Sequence, residues 1–172
     1  MSDLLATLGR KHDPAALNWL GMLRRYLPFI ALTNLLWETL HLPLYTLWKQ
    51  GSVQEQVFAI LHCTGGDVLI ATTTLILALL LIGNSAWPVR CFYRVAAFTV
   101  GAGVLYTIFS EWLNIVLRKS WAYSELMPVI PLIDTGLSPL LQWLLLPLFG
   151  LWWARYSIGI IIHEHRNSLD RQ

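Results

Sequence analysis

Four stretches of the chain stay apolar for the length needed to cross a bilayer, and short polar or proline-bearing segments separate them. A helix needs about 20 such residues to cross the hydrocarbon core. The pattern predicts spans at 26–48, 56–82, 92–117 and 137–162, giving an all-α, four-span up-down bundle as a single domain. Residues 1–25 read as a cytoplasmic or interfacial lead, with Asp13-Pro14 as a helix start and Leu17, Leu20 and Leu23 on one face. Residues 163–172 read as a cytoplasmic tail. The connection at 49–55 is short and polar, so the first two spans are expected to pack as antiparallel neighbours. The connection after the third span is longer than the usual limit of about 12–15 residues. It carries Trp121, Tyr123, Met127, Pro128 and Pro131, too apolar for a solvated linker, and is expected to cap the outer mouth of the bundle.

Composition agrees with that pattern. Of 172 residues, 56% are hydrophobic and 13% charged, and the mean hydropathy is +0.55. A soluble domain of this size is seldom so apolar. The first 25 residues lack a compact apolar core and a small-residue cleavage site, so the first span is expected to remain as an anchor. With four spans both termini share one side. Nine basic residues fall there (Arg10, Lys11, Arg24, Arg25, Arg90, Arg94, Arg155, Arg166 and Arg171), against Lys49, Arg118 and Lys119 on the other. The positive-inside rule then puts both termini in the cytoplasm of a multi-pass cell-membrane protein, such as one of a bacterial inner membrane. No basic cluster is dense enough for nucleic-acid binding. Cys63 and Cys91 are expected at opposite membrane faces, beyond disulfide reach.

Polar positions inside the spans carry the functional signal. Glu38, His41, His62, Asp67 and Glu111 sit on three different apolar segments, and up-down threading brings all five to one leaflet. Ionisable groups in hydrocarbon are costly and mark functional sites. Glu38 and Asp67 lie about ten residues inside their spans, or about 15 Å deep. Glu38 and His41 share a helix face, as do Cys63 and Asp67, while His62 points away from Asp67 unless Gly65-Gly66 distorts the helix. Gly101 and Gly103 read as packing sites in the third span. Pro43 frees the Thr39 carbonyl and is expected to kink the first span beside the Glu38–His41 pair.

Three chemistries compete for this cluster. The leading expectation is an enzyme acting on a lipid-soluble substrate, with one zinc, iron or manganese ion held by Glu38, His41 and Glu111 plus His62 or Asp67. The remaining carboxylate would be general acid or base, and Asn114 or Tyr123 would orient the substrate. The second is metal-free acid–base chemistry. Burial disfavours ionisation, so Glu38 or Glu111 could deliver a proton to a lipid double bond. Trp37, Trp112, Trp121, Gln142 and Trp143 would wall the pocket, by analogy with membrane isomerases and terpenoid cyclases. Ion passage is disfavoured, because the inner halves of the spans offer no ionisable relay. A non-catalytic subunit or metal-binding assembly protein is the alternative from another class. Trp48 and Trp87 read as an aromatic belt, Asp134-Thr135-Gly136 as a turn with an N-cap, and His163, Glu164 and His165 as solvated tail.

Overall fold

The computed structural model describes the backbone of residues 14–169 and the side chains of 19–157. Four long helices dominate. Helix α1 (Pro14–His41) has proline at its first position, where the missing N–H costs nothing. It is continuous through the stretch read as a separate lead, and it stops at His41 rather than running to 48. Pro43 is the cause: proline cannot donate to the helix ladder and biases the residue before it away from helix. The chain tightens into a 3-10 turn at Leu42–Leu44, then forms the short α2 (Leu47–Gln50). Pro43 thus terminates the helix instead of kinking it.

Ser52 starts α3 (Val53–Ile82) with a capping box: its Oγ accepts from the Glu55 N–H, and the Glu55 side chain accepts from the Ser52 N–H. After a turn, α4 runs over Phe92–Trp112 and widens into a π turn at Leu113–Leu117. The long connection forms a two-residue hairpin, β1 (Val129–Ile130) against β2 (Thr135–Gly136), paired antiparallel. Asp134 lies in its left-handed turn with φ 48°, so Asp134 makes the turn but does not cap α5 (Leu137–Leu169), which begins three residues later. The expected tail from residue 163 continues this helix to Leu169. The side chains of His163, Glu164 and His165 lie outside the described ones.

Three helical segments are long and apolar enough to cross a membrane: Val53–Ile82, Phe92–Leu117 and Leu137–Ser157, with mean hydropathies of 2.1, 1.5 and 1.4. This is the make-up of an all-α, multi-pass membrane protein. Large apolar side chains such as Leu32, Leu80 and Leu105 accordingly point outward, about 70% exposed or more in the case of Leu80 at 76%. Around the bundle α1 packs on α3 and α5, and α4 closes the ring against the same two. Helices α1 and α5 run antiparallel: Ser138 lies level with Trp37 and His41, Gln142 with Asn34 and Glu38, and Gly150 with Phe29 and Tyr26.

The two halves of the bundle differ sharply. Near the 83–91 turn the interior is apolar and closed by Met22, Tyr26, Ile30, Leu75, Val95 and Leu151. Toward the cap it becomes polar, with Asn34, His41, Asp67, Thr107, Glu111 and Gln142 all buried. Of the two glycines read as packing sites only Gly103 is one, since a Cβ there would run into the Trp143 ring. Gly101 is exposed with open space at its Cβ position. Both cysteines are free, as their expected levels required. Gly103→Ala is therefore expected to cost about 1–3 kcal/mol by overpacking, whereas Gly101→Ala leaves the thermal midpoint in detergent unchanged.

Candidate functional site

The floor of the polar half is built around one amide. The Gln142 Nε2 group donates to Asn34 Oδ1 at 2.8 Å, Glu38 Oε1 at 2.9 Å and Asp67 Oδ2 at 2.9 Å. Asn34 donates its own amide to the Ile30 carbonyl one turn back, which fixes its oxygen toward Gln142. Asp67 accepts a second bond from the Trp143 indole N–H at 3.3 Å. Gly103 leaves room for the Trp143 ring to pack closely against α4 beside that contact. Two helices, α1 and α3, thus place their polar groups around a side chain from α5.

Glu38 continues outward to His41, whose Nε2 lies 3.1 Å from Glu38 Oε2. This is the expected three-residue spacing on one face of α1. The other ring nitrogen, Nδ1, meets Ser138 Oγ at 3.0 Å, and Trp37 Nε1 donates to the same oxygen at 3.2 Å. Trp37 can only donate. Satisfying all three groups at once gives the Ser138 proton to His41 Nδ1, so that His41 Nε2–H donates to Glu38.

Glu111 forms the opposite wall and anchors the cap. Tyr123 donates to Glu111 Oε2 at 2.5 Å, and the Gly136 N–H donates to the Tyr123 oxygen at 2.7 Å. Burial, then the bond to Glu111, raises the Tyr123 phenol above its ordinary range, so it acts as a neutral donor. The cap is also laced to the segment at 42–46. The Thr46 N–H donates to the Ala122 carbonyl at 2.9 Å, the Ser124 N–H to Leu44 at 2.8 Å, and the Ser124 hydroxyl to Pro43 at 3.0 Å. The helix end made by Pro43 therefore supplies the edge on which the cap is pinned.

Between floor, wall and cap lies a cavity of about 1390 Å³. It opens sideways because α3 and α4 part toward the cap: no residue of α3 before Asp67 is buried, and none from Trp112 to Ser120. Gly66 lines that gap and leaves it unfilled, while Gly65 faces outward, with nothing within 4 Å of a Cβ at either. Neither draws helices together.

The other expected site residues scatter. His62 borders the cavity but is exposed, and its ring stacks on Phe58, ring centroids 5.5 Å apart. Asn114 borders the cavity but donates back to the Ser110 carbonyl at 2.9 Å. Trp112 is 45% exposed and faces outward beside Phe109. Trp37 acts on the site through Ser138, while Trp121 and Trp143 line the cavity. The Trp121 N–H is buried without a partner. Among the described residues no three His, Cys, Asp or Glu side chains are arranged to hold a metal ion, and both ring nitrogens of His41 are already committed.

Three members were missing from the sequence reading. Asn34 sits four residues before Glu38 on the same face, a spacing that could have revealed it. Ser138 has no such signal, because only the antiparallel pairing of α5 with α1 brings it to His41. Tyr45, beyond the helix end, meets the His41 ring edge-on at 5.3 Å between centroids. Tyr123→Phe leaves Glu111 and the Gly136 N–H one partner short each, at about 1–3 kcal/mol. Amide hydrogen exchange over 121–136 is expected to rise in that variant while exchange in α1 stays unchanged. No protein-family model, curated protein or solved structure matches this chain.

Proposed function

We propose that this protein is a membrane-embedded acid–base enzyme that shifts a proton on a lipid-soluble, unsaturated substrate without a metal. The observation that carries the reading is the Gln142 amide. It has two hydrogens, yet three oxygens surround it at 2.8–2.9 Å. The oxygen left over needs a hydrogen from elsewhere, and a proton held jointly by Glu38 and Asp67 supplies it. The two carboxyl groups, gathered around one amide nitrogen, are placed to share that proton.

The step balances as a double-bond migration. The Glu38–Asp67 pair gives its proton to one alkene carbon, and the π electrons form the new C–H bond. The neighbouring carbon becomes cationic beside Trp121 and Trp143, which line the cavity and whose rings favour positive charge. Glu111 removes a proton from the next carbon, whose C–H electrons form the shifted double bond. The pair has lost one proton and Glu111 has gained one, and water from the cap side returns both to their starting state. If the cation is captured by a second double bond of the same chain, the same residues perform a cyclisation.

The topology that suits this chemistry has α1 as a fourth span, both termini in the cytoplasm and the cap outside. Nine basic residues against three support that orientation. The reading is tested by incubating purified protein in D₂O with the total lipid extract of its own cells and following deuterium into lipids by mass spectrometry. One lipid class is expected to gain carbon-bound deuterium. Glu38→Gln and Glu111→Gln should each slow labelling by about 10²-fold or more, and a chelator should leave it unchanged. Labelling that survives both substitutions, or that a chelator abolishes, contradicts the proposal.

A further inference from the structure

The cavity has a second polar feature that the proton chemistry does not use. Arg118 and Lys119 stand at its cap-side rim, just past the π turn of α4. Neither has an acidic partner: the one ion pair among the described residues is His41–Glu38. Glu55, on the α3 side of the rim, engages its carboxylate with Ser52 through both the N–H and the hydroxyl, each at 2.8 Å. Two cations without partners therefore overhang an apolar-walled gap whose far end is lined by carboxyl groups.

That charge order fixes how a lipid can lie. An anionic head is attracted to the rim and repelled from the floor, where Glu38, Asp67 and Glu111 gather. Its chain, not its head, must reach the floor. Arg118 follows Glu111 by seven residues, or about 10 Å of helix, so the bond presented to Glu111 belongs near the middle of the chain. The parting of α3 and α4 gives that chain a sideways route from the bilayer.

We infer that the substrate is a long-chain lipid with an anionic head, carboxylate or phosphate, held by Arg118 and Lys119 while a mid-chain double bond lies against Glu111 and the Glu38–Asp67 pair. This rests on the acid–base reading and adds the head, the route and the register. The probe is stearic acid brominated at mid-chain, added to protein in nanodiscs of neutral phosphatidylcholine, with its methyl ester as the uncharged counterpart. Bromine quenches tryptophan on contact, and Trp121 and Trp143 line the cavity. Gly66→Leu, which fills open space, serves as the blocked reference, and Ala59→Phe from the same wall replaces it if that variant does not fold.

The acid is expected to quench at about tenfold lower concentration than the ester, and Arg118→Ala/Lys119→Ala should bring the two together. Equal binding of acid and ester to the unmodified protein overturns the head assignment and leaves the acid–base reading standing. Quenching by neither probe beyond the blocked reference overturns the lipid pocket and that reading with it. Competition by acetate as strong as by the long-chain acid would assign the rim to a free anion and overturn the inference.

Discussion

The polar half of this bundle depends on one side-chain amide that bridges three helices. Gln142 projects from α5 and reaches Asn34 and Glu38 on α1 and Asp67 on α3. In a medium without water each of those oxygens would otherwise be orphaned, and an unmade bond to a buried polar group is far costlier than a made one is favourable. The amide therefore fixes the rotation of α5 against α1 and α3. It also gathers the Glu38 and Asp67 carboxyl groups around one nitrogen. Apolar packing does not impose this arrangement, because lipid is as apolar as the leucines it replaces.

The apolar half makes that concentration of polar groups tolerable. Met22, Tyr26, Ile30, Leu75, Val95 and Leu151 fill the bundle toward the 83–91 turn with buried apolar side chains. Toward the cap the same helices separate, and each cause is local. Pro43 ends α1 early, the π turn widens the end of α4, and Gly66 leaves α3 without a side chain where one would fill the gap. The result is a one-sided cup, closed at the floor, roofed by the 118–136 segment and open to the bilayer along one edge. Its geometry favours a substrate that arrives from lipid and keeps its head near the surface.

Much of this was legible in the chain. The end of α3 and the limits of α4 with its π turn follow from apolar run lengths, and the level shared by Glu38, His41, Asp67 and Glu111 follows from up-down threading. Helix α3 starts three residues before the expected 56, where the Ser52 capping box begins it. The end of α1 was misjudged because the apolar run continues past Pro43, and the backbone constraint of proline outweighs hydropathy there. His62 was drawn toward the site by its level alone. It does line the cavity, but its direction around the helix, which spacing to Asp67 already disfavoured, stacks it on Phe58. Ser138 could not be found, since its partnership with His41 arises from helix pairing across nearly a hundred residues of sequence. Gln142 was visible only as a pocket wall, because which residue a buried amide bridges is decided by the rotation of α5.

The central claim is that Glu38 and Asp67 share one proton beneath the Gln142 amide, and infrared spectroscopy of the carboxyl groups addresses it directly. The unmodified protein in neutral lipid at neutral pH should show the C=O stretch of a protonated carboxyl group. The band should shift in D₂O and disappear in Glu38→Gln/Asp67→Asn, yet persist in Glu111→Gln. A spectrum with no protonated carboxyl band, or a band that survives the double substitution and is lost with Glu111, would contradict the account.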